Sequence, residues 1–411
     1  MNKNIKLAVA GAVLALSATA ANAGIVIPAG DWTLDIGGNV NMFSSWAKAD
    51  GNATITGSAV SVGKGTNSSL NMSTGLLPNF LSVGGTTRQN DLDVSFTISI
   101  QPGASVQGPL EAAVGGLNAT NNNINNRQAF ITFGDKSWGS IKVGKDLGIF
   151  ASDAILNDMT LLGVGYTSGG PAAGGNTTLG RIGYGYMYAD WKPQIAYTTP
   201  NFNGFQATGG ITQNFVVTGL GTNSLPTTTE KPATPAYEGK ASYSFAANDV
   251  TGKVWVSGIA NKIGATTVAL NDKVAYAGDI GANLNYAGFG LTGYYYGGSG
   301  IGITGQMLDG YNLQGLSRDS NGGYVQATYV LPTKTKAGIS WGKSHLDAAN
   351  ATDAAADLVK DNEMWTAGLY HPLTKHLNLV AEYSYATSKS QSGVGGENHV
   401  NVGSLGAILF F

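Results

Sequence analysis

Four histidines, His345, His371, His376 and His399, are the side chains best suited to acid–base or metal chemistry near neutral pH. His371 and His376 are five residues apart, a separation open to metal ligation. No clustered carboxylate or thiolate completes a site around them, and solvated turn residues are the plainer reading. The chain has no cysteine, which removes disulfides, thiolate metal centres and cysteine nucleophiles together. A Ser–His lipase needs a serine beside a histidine on one outer face, and no such pairing stands out. Gly298-Ser299-Gly300-Ile301-Gly302 has the glycines of a phosphate loop but neither the trailing lysine nor a following helix. A net charge of −2 offers no basic field for a nucleic-acid partner. None of these readings assembles a catalytic, metal or cofactor site. Whatever the chain does must come from how its few charges are arranged on a large scaffold.

That scaffold is written in the composition and the period. Charged residues make up 12% of the 411 residues, about half the usual ~25%. There are 60 glycines, with 18 Tyr, 13 Phe and 7 Trp. This is too aromatic for a disordered chain, and past the first residues no apolar stretch approaches the ~20 residues of a spanning helix. The dominant signal alternates residue by residue. Trp32, Leu34, Ile36, Val40, Met42 and Trp46 alternate with polar residues, as do Leu92, Val94, Phe96, Ile98 and Ile100. Each such segment presents one apolar and one polar face when extended. Sixteen strands are predicted, at 31–46, 79–87, 91–101, 127–134, 139–146, 179–199, 204–214, 237–246, 250–260, 273–286, 289–297, 323–331, 335–344, 363–371, 376–386 and 398–411. Short connections such as Asp135–Trp138 and Pro372–Lys375 alternate with long ones near 47–78, 102–126, 147–178, 215–236, 298–322 and 345–362. Bacterial outer-membrane barrels carry this asymmetry and an even strand count. A propeller would repeat a motif at a fixed period, and none is present. In lipid every backbone polar group must be paired internally, so the sheet is expected to close. Sixteen strands leave room for an aqueous lumen.

Met1 to Ala23 has the parts of an export signal: Lys3 and Lys6, an apolar run from Leu7 to Leu16, and Ala21-Asn22-Ala23 as the cleavage site. The expected organisation is a cleaved signal at 1–23 and one barrel at 24–411. The last strand places Leu405, Ala407, Leu409 and Phe411 on one face and ends on that Phe.

Several segments resemble the Gram-negative general diffusion porins, a family of 16-stranded trimers. Asn126-Arg127-Gln128-Ala129-Phe130-Ile131-Thr132-Phe133-Gly134 looks like that family's fourth strand. Trp138-Gly139-Ser140-Ile141-Lys142-Val143-Gly144-Lys145-Asp146 looks like the fifth, with Lys145 where Arg is usual. Leu179-Gly180-Arg181-Ile182-Gly183-Tyr184 resembles the start of the sixth. Tyr197-Thr198-Thr199-Pro200-Asn201-Phe202-Asn203-Gly204-Phe205 resembles the Y-x-S-P-x-F-x-G-F turn, with Thr199 for the Ser. The resemblance implies an all-β, 16-stranded antiparallel transmembrane barrel with an inward-folded third loop, here 147–178. It also implies a constriction where loop carboxylates face basic wall residues across the water-filled pore, giving a transverse field.

By that resemblance the wall cluster is Arg88, Arg127, Lys145 and Arg181, and the loop acids are Asp153 and Asp158. Parity supports Arg88, on the face of Ser82, Gly84 and Thr86, and Arg181, opposite Ile182 and Tyr184. It does not support Arg127, which shares a face with Ala129, Ile131 and Phe133. Nor does it support Lys145, on the face of Ile141 and Val143; Lys142 takes the other face. A bulge near a strand end could reverse either. Leu162 stands where the family commonly has a second acid, which predicts a weakly selective pore with a more apolar constriction. Phe411 resembles the C-terminal signal read by the barrel-insertion machinery. Trp46, Trp191, Trp255, Trp341 and Trp365 are expected as interfacial girdle residues. The expected function is passive passage of small hydrophilic solutes and ions by a homotrimer among outer-membrane lipids. A substrate-specific channel for saccharides or anions is the alternative, followed by a barrel adhesin or barrel enzyme.

Overall fold

The computed structural model describes residues 24–51, 55–58, 68–104, 124–166, 177–219, 223–224, 232–264, 273–393 and 397–411. The expected export signal at 1–23 lies outside them. The strands are β1 (Ile25–Ala29), β2 (Trp32–Asp50), β3 (Ser68–Ser73), β4 (Phe80–Gln89), β5 (Leu92–Pro102), β6 (Ile124–Asp135), β7 (Gly139–Leu147), β8 (Trp191–Thr198) and β9 (Phe205–Thr212). They continue with β10 (Ala236–Ala247), β11 (Val250–Lys262), β12 (Val274–Tyr286), β13 (Phe289–Ser299), β14 (Asp319–Val330), β15 (Lys336–Leu346), β16 (Val359–Pro372), β17 (Leu377–Ser390) and β18 (Glu397–Phe410).

All eighteen strands belong to one antiparallel sheet. It closes where β18 pairs β2, from Phe410↔Asn39 to His399↔Asp50. Two strands are short pieces of the same wall. β3 extends the row of β4 along β2, and β1 pairs the stretch of β2 that β18 does not reach, Ile25↔Ile36 to Ala29↔Trp32. The ring is therefore sixteen strands, as the alternation predicts. Among the described residues closure leaves none of the sixteen ring strands with an open edge, as a barrel in lipid requires.

The pleat sorts the residues. Val40, Met42, Ile98, Ile131, Ile195, Ile280, Leu291, Ile339, Leu405 and Leu409 are exposed on the outer face. Trp46 and Trp365 stand there too, but Trp255, expected beside them, is buried on the inner face. Two-residue turns join β4 to β5 at Asn90 and Asp91, and β12 to β13 at Ala287 and Gly288, all at positive φ. Such turns match the strand twist.

Two expectations change. The strand predicted from 179 begins only at Trp191. Gly180, Gly183 and Gly185 adopt φ of 56°, 83° and 122°, so the segment turns repeatedly, while Arg181, Tyr184 and Tyr186 are fully buried. Its apparent alternation of Ile182, Tyr184 and Tyr186 is not a strand pleat. The long connection expected over 47–78 is partly sheet, since β2 runs on to Asp50 and β3 lies within it.

Apolar and aromatic side chains also stand on the inner face. Phe43, Tyr370, Val380, Ile408 and Phe410 stand on the inner face and pack with Leu77, Met159 and Val164.

Candidate pore constriction

Between β7 and β8 the described chain contains a short helix, α1 (Ser152–Asn157), and a single tight turn, Met159–Leu162. Its orphan backbone groups and side chains are satisfied by strands far apart in the ring. Glu238 of β10 accepts from the amides of Ile149 and Phe150 at 2.7 and 2.9 Å. Tyr324 of β14 donates to the carbonyl of Ala154 at 2.8 Å. Gln326 bridges the Met159 amide and the Asn157 carbonyl. Ser344 of β15 accepts from the Gly185 amide. Glu382 of β17 accepts from the amides of Val164 and Gly165 at 2.7 and 2.8 Å, and from the Tyr370 hydroxyl at 2.5 Å. A Cβ on Gly163 would overlap the Glu382 carboxylate, so the close approach requires glycine there. Buried amides must find acceptors, and carboxylates make the strong ones.

The acids and bases expected at a constriction are not assembled as expected. Arg88 does share the inner face of Ser82 and Thr86, but it stands at the short-turn rim. It donates to Asp93 at 2.8 Å and Asp135 at 3.0 Å, and is 48% exposed. An exposed pair of this kind contributes little to stability. Arg127 sits at a register shift between β5 and β6, where Ser99 pairs Gln128 and Ile100 pairs Asn126. Its guanidinium lies 6.0 Å from the ring centre of Trp191, in the outer row of β8 with Ile195 and Tyr197. Lys145 donates to the Asn126 carbonyl at 2.8 Å and lies in the outer row of β7 with Val143. Both stand at the loop-bearing rim, and only Arg127 lies beside the bulge. Arg181 is on the connecting segment rather than a wall strand, donating to Ser340 and to the Met364 carbonyl.

Asp153 on α1 is ion-paired to Lys240 of β10 at 2.9 Å and to Lys253 of β11. Burial works against its ionisation, but Lys240 and then Lys253 hold the carboxyl below the ordinary carboxylate range. Asp158 accepts from the amide and hydroxyl of Thr160 and from the Tyr186 hydroxyl at 2.9 Å. Burial, then the adjacent Asp158 carboxylate, push the Tyr186 hydroxyl well above its ordinary value, so it stays a donor. Both acids are thus consumed by direct partners.

Sequence reasoning passed over four inner-face ions: Lys192 paired with Glu238, and Lys240 and Lys253 at Asp153. Alternation had already put Glu238 and Lys240 on a polar face; only the fold could say what they meet. The inner wall of β5–β7 carries a further neutralised run. Gln101 donates to Ser99, Ser99 to Gln128, Gln128 to Asp146, and Asp146 pairs with Lys142.

A closed sixteen-stranded sheet with an apolar exterior, an inner face rich in polar groups and charges bound to one another is the architecture of a channel-forming barrel. The model of the Gram-negative porin family matches residues 8–391, and the chain belongs to that family. It is an outer-membrane channel for passive diffusion of small solutes. The outer membrane channel DcaP of Acinetobacter baumannii is similar in structure, at 15% identity and TM-score 0.67, over 93% of this chain and 99% of that one. Salmonella typhi OmpF, solved in complex with daunomycin, has 14% identity and TM-score 0.58, over 94% and 100%. A trimer form of OmpT of Vibrio cholerae has 13% identity and TM-score 0.50, over 92% and 99%. At these identities the likeness is one of fold. No curated protein sequence matches the chain.

Proposed function

We propose that this porin is a weakly ion-selective pore, and that the third loop expected at 147–178 folds into its lumen, its described residues 148–166 together with 177–190 lying within the ring. The loop's hydrogen-bond partners support the second point. They stand on the inner faces of β10, β14, β15, β16 and β17, and only a segment crossing the interior reaches all five. The pairing of charges carries the first. Loop acid Asp153 is cancelled by Lys240 and Lys253, and Lys142 is cancelled by Asp146. A transverse field needs unlike charges held apart across water; these are in contact, and the remaining pair, Asp158 and Arg181, is buried among neutral hydrogen-bond partners. Leu161 and Leu162 at the loop turn are partly exposed, in keeping with a more apolar constriction. Reversal potentials in a KCl gradient across planar bilayers test the reading, and a strong cation preference would overturn it.

The remaining features follow the family. Residues 1–23 serve as the cleaved export signal of a single barrel at 24–411. Phe411 caps the strand read by the insertion machinery; its backbone pairs with Gly38 through bonds of 2.8 and 3.1 Å. The trimer form of OmpT supports a homotrimer, seated among outer-membrane lipids by the apolar exterior.

A further inference from the structure

A cavity of about 510 Å³ lies against the turn of the inner segment, between Asn157–Leu162 and the short-turn ends of β11–β15. Its volume falls within the ~300–1,000 Å³ of small-molecule sites. The two sides differ in chemistry. On the loop side it is lined by Met159, Leu161 and Leu162; on the wall side by Asn283, Asn285 and Thr328.

One cation lines it, Lys336 at the start of β15. It shares the inner face with Ser340 and Ser344. Among the described residues the Lys336 ammonium makes no ion pair and no hydrogen bond. Its ammonium lies 5.2 Å from the ring centre of Tyr370, a cation–π contact that leaves its donors unspent. Every other lysine named at the constriction is taken: Lys142 by Asp146, Lys192 by Glu238, Lys240 and Lys253 by Asp153. Of the acids that share the cavity, neither is hydrogen-bonded or ion-paired to Lys336, although the Asp158 carboxylate acts on it through space. Asp158 spends its oxygens on Thr160 and Tyr186, and Asp249 stands exposed in the turn between β10 and β11.

We propose that this cavity is a binding site for small amphipathic organic carboxylates. Lys336 receives the carboxylate, the loop leucines and Met159 hold an apolar body, and the amides and hydroxyls of the wall take polar substituents. A hydrated inorganic anion gains only the charge contact, whereas an aromatic or aliphatic carboxylate gains both. The site rests on the channel reading and deepens it, giving the pore a preferred solute class within otherwise weak selectivity.

The experiment is single-channel recording of the full-length protein in KCl, with benzoate, benzyl alcohol or acetate added in turn. A protein that opens no channel in KCl alone refutes the channel reading itself. Given open channels, the proposal expects saturable, concentration-dependent block by benzoate, with at least tenfold weaker block by benzyl alcohol, which lacks the charge, and by acetate, which lacks the body. Lys336→Gln should weaken benzoate block at least tenfold, and Lys336→Arg should restore most of it while both variants conduct KCl. Equal block by benzoate and benzyl alcohol, or undiminished benzoate block in Lys336→Gln, overturns the proposal.

Discussion

Glu382 anchors the far end of the proposed inward loop, and its removal gives the sharpest test of the pore's construction. The carboxylate accepts from two backbone amides, at Val164 and Gly165, and from the Tyr370 hydroxyl. Hydrogen bonds to a charged group contribute about 1.5–3 kcal/mol each, so three such bonds have a gross worth of about 4.5–9 kcal/mol. In Glu382→Ala, lumenal water can reach part of the vacated site, and the amides recover some of that loss. A net weakening of about 3 kcal/mol is a conservative expectation, and at ~1.4 kcal/mol per tenfold it raises the released population of the segment tip about a hundredfold. Glu382→Gln keeps one acceptor oxygen and should fall between. The assay is current noise in single-channel recordings, together with proteolysis of the folded barrel at 160–166. Glu382→Ala should flicker between conductance levels and be cut faster, with the barrel strands still protected. If Glu382→Ala is as quiet and as resistant as the unmodified protein, the anchoring argument is wrong.

Other outcomes follow from the same geometry. Lys142→Glu places a new acid beside Asp146 on the inner wall and should shift the reversal potential toward cations, whereas Lys145→Glu and Arg127→Glu, on the outer rim, should leave it unchanged. Gly163→Val forces a side chain against the Glu382 carboxylate and should reproduce the flicker of Glu382→Ala. The folded-state pKa of Asp153 is depressed, so its contribution is fully present above the unfolded value of ~3.9 and lost as pH falls through the folded one. Conductance should therefore hold from pH 7 to about 5 and change only below about 4 in the unmodified protein, while Asp153→Asn behaves as the acid form at every pH. Beyond the barrel, Arg318 is fully buried and its guanidinium pairs Asp353 at 2.7 Å while also binding Ser224 and the carbonyl of Asp309. Burial opposes ionisation of Asp353, but Arg318 keeps its carboxyl below the ordinary range. Asp353→Ala leaves that charge uncompensated, at a cost of about 3–5 kcal/mol, and should speed proteolysis near 223–224 and 347–358.

By itself the sequence determined the barrel. Strand identity depends on a period of two and on turn residues, both local properties, so sixteen strands, their order and the outward row of Val40, Ile131, Ile280 and Leu405 were legible without coordinates. Parity even placed Lys142 inward and Lys145 outward against the family pattern. It failed at 179–190, where three glycines at positive φ mimic alternation while the chain turns. What the tertiary structure alone decided is which charges meet. Asp153 is about a hundred residues from Lys253, and the amides of Val164 and Gly165 more than two hundred from Glu382; no local pattern encodes those pairings. They arise because closing the ring brings distant inner faces around one segment. The same closure pairs Asp153 with Lys240 and Lys253, which the linear reading had not set against it, and leaves the Lys336 ammonium without an ion pair among the described residues.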